Sequence, residues 1–180
     1  MALPAPPAGL VLTPGASADR DHSTLVAIDE ALDVPVLRLT LGTTSVPKAV
    51  GIIIEAVGDF ADELGVATTD VVIGGRSFGG RACSVAAAEG LDVGGLLLLS
   101  YPLHPPGKPE KLRVDHFADI AVPTLFISGE KDPFGRPDEF EAHVGAISGP
   151  TEMLWVPGAH SPKGAQETAV VELVVAALSS

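Results

Sequence analysis

The sequence predicts an α/β fold: one doubly wound, mostly parallel sheet of about six strands, formed by residues 1–180 as a single domain. Three observations predict it. Short apolar runs alternate with helical stretches along the chain, the order of parallel strands joined by crossover helices. Gly, Pro and Ser separate the runs, where turns are required. Hydrophobic residues make up 46% of the chain but aromatics only 4%. The interior is therefore Val, Leu, Ile and Ala, which suits strands buried on both faces under Ala-rich helices.

Residues 9–13 (Gly-Leu-Val-Leu-Thr) form the first strand, closed by Pro14-Gly15. Residues 19–33 read as a helix with Leu25, Ile28 and Leu32 on one face, and residues 36–41 as the second strand. Residues 46–64 form a longer helix. Residues 70–73 are the third strand, running into a glycine segment, and residues 78–90 an Ala-rich helix stopped by Gly90. The apolar runs at 96–100 and 124–128 are the fourth and fifth strands, the latter introduced by Pro123. Residues 137–147 are helical, 153–156 the last strand, and 164–178 the last helix. Residues 101–111 are the longest irregular connection. No large insertion follows the fourth strand, so a cap domain is not expected and the site should be shallow and open. The final helix is apolar enough from residue 169 to 178 to face a partner subunit.

A net charge of -12, with 11 scattered Lys and Arg, repels a phosphate backbone and argues against nucleic-acid binding. The one cysteine, Cys83, forms no intrachain disulfide. Residues 1–9 lack a basic n-region and do not read as a signal peptide. The apolar run near Leu96–Leu99 is too short to span a bilayer. The expectation is a cytoplasmic protein without membrane contact.

In open parallel sheets, ligands bind beyond the carboxyl ends of the strands. Ser77 follows the third strand, Asp132 the fifth and His160 the sixth. Gly75-x-Ser77-x-Gly79 fits a nucleophile elbow, in which a serine occupies a sharp strand-to-helix turn and small flanking residues relieve backbone collisions. The competing reading is a Gly-rich turn with Ser77 as an N-cap. The spacing matches no phosphate-binding loop or dinucleotide fingerprint, and no cofactor is expected.

A serine hydroxyl needs a base and a group that orients the base. The chain order Ser77, Asp132, His160 supplies them, with Glu130 as the runner-up acid. His22 and His143 fall in helical patterns at the surface, and His116 in a short helical stretch as a core or surface residue. His104 on the irregular loop is a candidate pocket residue. No histidine pair has zinc-ligand spacing, and no metal site is expected. Backbone amides of Phe78 and of Ala16, in the loop after the first strand, are the candidate oxyanion donors; Pro14 has no N–H to give. Arg76 and Arg81 flank the elbow as candidate ligands for a substrate carboxylate, unless the protein's own carboxylates take them.

Three stretches, 74–81, 101–110 and 128–135, together with Gly158-Ala159-His160, resemble minimal α/β-hydrolases of the dienelactone-hydrolase-like type. More narrowly, they are similar to the hydrolase-like domain of testis-expressed proteins and of a regulatory subunit of the nonspecific lethal complex. The resemblance implies the hydrolase fold and the triad Ser77, Asp132 and His160; those residues point to a serine hydrolase acting on a small ester, thioester or lactone. It implies no particular substrate, since some members act as scaffolds, and a non-catalytic interaction domain is the alternative. Relatives carry His-Gly-Ala-Gly after the first strand. This chain reads Pro14-Gly15-Ala16-Ser17, so the histidine is lost and Ala16 kept.

Overall fold

A computed structural model describes residues 3, 4 and 6–179. Met1, Ala2 and Ala5, in the stretch read against a signal peptide, and Ser180 lie outside the described residues. Six strands form one parallel sheet: β1 (Gly9–Thr13), β2 (Val36–Arg38), β3 (Val71–Arg76), β4 (Gly95–Leu99), β5 (Thr124–Gly129) and β6 (Thr151–Val156). The order across the sheet is β2-β1-β3-β4-β5-β6. The chain first winds outward to β2, then returns past β1 and winds the other way. The reversal lies between β1 and β3, which pair from Gly9↔Val71 to Thr13↔Gly75.

Among the described residues five α-helices accompany the sheet: α1 (Ser23–Ala31), α2 (Val46–Leu64), α3 (Phe78–Ala88), α4 (Pro137–Glu141) and α5 (Ala165–Leu178). Alternation along the strands divides two cores. Val11, Ile73, Leu96, Leu98 and Phe126 face α2 and α3. Leu10, Leu12, Val72, Leu97 and Leu99 face α1 and α5. Every residue of β1, β3, β4 and β5 is buried. Among the described residues no helix is long and apolar enough to cross a membrane.

Several boundaries differ from the sequence expectation. The first helix starts at Ser23 because an Asx turn (Asp21 N–H to Asp19 Oδ1, 2.9 Å) occupies the preceding residues. His22 is its N-cap and accepts from the Thr24 amide. The second strand stops at Arg38; beyond it, Thr40 Oγ1 turns to accept from the Arg20 amide. The helix expected over 137–147 ends at Glu141 and resumes as a 3-10 turn, Val144–Ala146, because successive amides bond three residues back. The apolar residues of α5 are taken up within the chain: Val170, Val174, Ala177 and Leu178 are buried, and Val171, Leu173 and Val175 pack partly against the same core.

The glycines of the third strand and its turn answer a steric demand. A Cβ on Gly75 would strike Thr13 Oγ1 and the Thr13 carbonyl oxygen. One on Gly79 would strike the Pro14 carbonyl, and one on Gly80 would come within 2.7 Å of the Gly75 carbonyl. The end of β1 thus lies against the turn after β3 with no room for a side chain. Gly75→Ala is expected to destabilise the fold by about 3 kcal/mol, the upper part of the overpacking range. Gly51→Ala, in α2 with open space around its Cα, is expected to gain about 0.5 kcal/mol. Urea unfolding of both variants checks this; equal effects would contradict the close approach.

Candidate active site

Ser77 follows the last residue of β3 and precedes the first of α3, with φ 50 and ψ -116. A non-glycine residue at such angles is strained by about 1–3 kcal/mol and must be held there. Two hydrogen bonds hold it: Ser77 N–H donates to the Leu99 carbonyl (2.9 Å) and its own carbonyl accepts from the Arg81 amide (3.0 Å). The Ser77 side chain caps nothing in α3. Its hydroxyl lies 2.8 Å from His160 Nε2 instead.

His160 Nδ1 lies 2.7 Å from Asp132 Oδ2. A carboxylate only accepts, so Nδ1 carries the proton and Nε2 presents its lone pair to the Ser77 O–H. Asp132 is 1% exposed. Its other oxygen, Oδ1, accepts from the Phe134 amide (2.8 Å), and its amide donates to the Gly129 carbonyl. The loop after β6 lies directly against the end of β5: a Cβ on Gly129 would come 2.5 Å from the Gly158 carbonyl. Glu130, the runner-up, is exposed, and among the described residues no side-chain bond links it to His160. The Phe134 ring stacks on the imidazole, centroids 3.9 Å apart and planes 26° from parallel.

A family model described as an α/β-hydrolase domain matches residues 6–172. This chain belongs to the α/β-hydrolase domain family. Among solved structures it resembles dienelactone hydrolase from Anabaena variabilis, with 20% identity, TM-score 0.77, and 97% of this chain and 87% of that one covered. A serine hydrolase homologue from Coxiella burnetii gives 18% identity, TM-score 0.77, and 95% and 84% coverage. Est1E from Butyrivibrio proteoclasticus gives 20% identity, TM-score 0.75, and 95% and 86% coverage. At these identities the likeness concerns the fold.

Within this α/β-hydrolase domain, Ser77 opens onto a cleft of about 260 Å³ lined by Ala16, Thr44, Phe78, Arg81, Pro102, Arg113 and Phe134. Ala16 and Phe78 share the cleft with Ser77. The Ala16 amide makes no backbone hydrogen bond among the described residues, and that of Phe78, at the start of α3, has no intrahelical acceptor. A larger cleft of about 420 Å³, lined mainly by Gly15, Ser17, Ala18, Leu41 and Thr43, meets the first at Thr44 but does not include Ser77.

Two candidate substrate ligands lie elsewhere. Arg76 is 8% exposed; its Nη2 donates to the His160 carbonyl (2.7 Å) and to Ser161 Oγ (2.6 Å), so it clamps the histidine loop. It ends a buried strand, and its Nη2 is taken up by the histidine loop. His104 is 4% exposed and is held by the Pro105 carbonyl (2.8 Å) and Glu139 (3.1 Å), outside the cleft lining. Arg81 does line the cleft. Arg113 and Thr44 carry no sequence signal, and Phe134 only its place in the 128–135 stretch. Burial pushes the Cys83 thiol up to about 12, so it is no thiolate.

Behind the cleft, Ser84 Oγ donates to the Arg81 carbonyl (2.8 Å). Having one proton, it accepts from His116 Nε2 (2.8 Å). Burial and then the Arg81 charge hold His116 below its ordinary value, against opposition from Asp115 and Asp119. Burial and Arg76 likewise lower His22, opposed by Glu167 and Asp19. The unfolded chain therefore binds these protons more readily than the folded one. The resulting stability is complete above about pH 6.5 and is lost as pH falls through that value toward the lowered folded values. The urea midpoint should fall between pH 7.5 and 5.5, and His116→Asn should shrink that fall; an unchanged pH slope in the variant would contradict the shift.

Proposed function

We propose that this chain is a serine hydrolase that cleaves a small ester, thioester or lactone through an acyl-enzyme on Ser77. The observation that carries the reading is the unbroken relay from Ser77 Oγ to His160 (2.8 Å) to Asp132 (2.7 Å), with the nucleophile in a strained turn at the head of a helix. His160 Nε2 takes the Ser77 proton as Oγ attacks the carbonyl carbon. Negative charge develops on the carbonyl oxygen, where the Ala16 and Phe78 amides are its donors. His160 then protonates the leaving oxygen or sulfur, and in the second half it activates water to release the acid. Asp132 keeps Nδ1 protonated and stabilises the imidazolium. The Phe134 face adds an attraction for that cation. A cleft of about 260 Å³ lies below the size of sites for drug-sized ligands, which favours a short acyl group.

Within the family we propose that the chain belongs with the dienelactone-hydrolase-like esterases and is related to the hydrolase-like domain of testis-expressed proteins and of the nonspecific lethal complex subunit. The Gly74–Arg81 and 101–110 stretches support this.

A fluorophosphonate probe is expected to label the wild type and not Ser77→Ala. With p-nitrophenyl acetate, Asp132→Asn should lower kcat by roughly 10³- to 10⁴-fold, because the histidine loses its tautomer. A wild type that takes no label, or a Ser77→Ala variant that labels equally, would overturn the hydrolase and leave the scaffold reading.

A further inference from the structure

We propose that the larger cleft beside that of Ser77 is a subsite for a neutral, polyhydroxylated leaving group, so that the ester cleaved joins a short acyl group to a polyol. This rests on the acyl-transfer reading of Ser77 and names the alcohol half of its substrate.

The cleft of about 420 Å³ lies between the loops that follow β1 and β2, which are neighbours in the sheet. Loops at the carboxyl ends of such strands hold ligands, and a volume of this order suits a small molecule. It meets the Ser77 cleft at Thr44, which lines both. Gly15 shows which side of Ser77 it borders. A Cβ on Gly15 would come 3.3 Å from Arg76 Nη1 and 3.7 Å from Ser77 Cβ, and Arg76 Nη2 donates to the His160 carbonyl. The larger cleft therefore adjoins Ser77 by way of the residue that holds the histidine loop. A carbonyl carbon attacked by Ser77 carries two substituents. With the short acyl group in the cleft of about 260 Å³, the leaving group enters the larger one. In acylation, the bond from the carbonyl carbon to the polyol oxygen breaks. That oxygen takes the proton that His160 Nε2 received from Ser77.

The lining sets the chemical class. Among the described residues no charged side chain lines the larger cleft, and Ser17, Thr43 and Thr44 supply hydroxyls. Thr43 Oγ1 accepts from the Ser45 amide (3.1 Å), so its proton is left to donate. Ser17 and Thr44 are exposed and reachable from solvent, and neither hydroxyl is bonded within the chain among the described residues. Residues 41–44 likewise make no backbone hydrogen bond there. Their N–H and C=O groups lie open along the cleft. Donors and acceptors thus alternate without net charge, and a polyol, whose every hydroxyl both donates and accepts, matches them. Ser17 carries a second sign of a ligand. It sits at φ 62, in the turn closed by the Ala18 amide on the Gly15 carbonyl (3.3 Å). Glycine would adopt those angles without strain. A serine kept there adds only its hydroxyl, and such strain collects where ligands are held.

The test compares kcat/KM for glyceryl monoacetate with that for methoxyethyl acetate, whose leaving group has an ether oxygen in place of free hydroxyls. The wild type is expected to favour the glyceryl ester about 10-fold or more, the worth of one or two hydrogen bonds. Ser17→Gly should reduce that ratio about 5-fold, the worth of one bond, at a melting temperature no lower than that of the wild type. Thr44→Val should reduce it to a similar extent. Ser179→Ala, a hydroxyl at the end of α5 and outside both clefts, should preserve it. Glucose monoacetate, run alongside, separates a sugar from glycerol, and preference for either over the ether ester supports the subsite. Equal turnover of the three esters by a wild type that takes the fluorophosphonate, or a ratio that neither variant moves, would overturn the subsite alone. A wild type that takes no label and cleaves none of them would overturn the acyl-transfer reading, and the subsite with it.

Discussion

The contact between the end of β1 and the turn after β3 governs the candidate site. Thr13 and Pro14 lie so close to Gly75 and Gly79 that neither glycine could carry a Cβ. Thr13 Oγ1 reinforces the approach by donating to the Gly74 carbonyl (2.9 Å). The chain must leave β3, reverse and begin α3 within this space, and Ser77 absorbs the reversal at φ 50. The strain is offset by the bonds from Ser77 N–H to Leu99 and from Arg81 to Ser77. Crowding therefore does more than permit the turn. It brings the loop holding Ala16 and the first amide of α3 to the same cleft as the Ser77 hydroxyl.

The imidazole of His160 is held by three independent restraints. Asp132, from the loop after β5, fixes one nitrogen. Phe134, two residues on, covers a ring face. Arg76, from the end of β3, grips the His160 carbonyl and the next side chain. Arg76 immediately precedes Ser77, so the residue before this serine anchors the backbone of its hydrogen-bond partner. That arrangement couples the separation of the two groups to a single stretch of backbone. It also explains why a buried arginine is tolerated: Asp132 and Glu167 oppose the desolvation of its charge.

Much of this was legible in the sequence, because local patterns encode it. Apolar runs marked all six strands, and the bounds of β1 and α2 follow the patterns at 9–13 and 46–64. Ser77, Asp132 and His160 stand out by their order after buried strands, and the structure brings the three side chains within hydrogen-bond distance. What escaped depends on tertiary direction. Arg76 and Arg81 look equivalent beside the elbow, but Arg76 ends a strand and turns to the histidine loop, whereas Arg81 lies one helical turn on and lines the cleft. Arg113 comes from an irregular segment with no periodicity. It reaches the cleft because Tyr101 Oη donates to its carbonyl and its own amide donates to the Leu103 carbonyl. His104, in the same segment, is drawn away by Glu139.

The charge distribution joins these features on two length scales. A net charge of -12 repels anions from a distance, but at physiological ionic strength that field decays over roughly 8 Å. Inside the cleft the balance reverses. Arg81 and Arg113 line it, and Arg76, at the end of β3, is bonded to the histidine loop. Partly buried guanidiniums are screened far less than surface carboxylates.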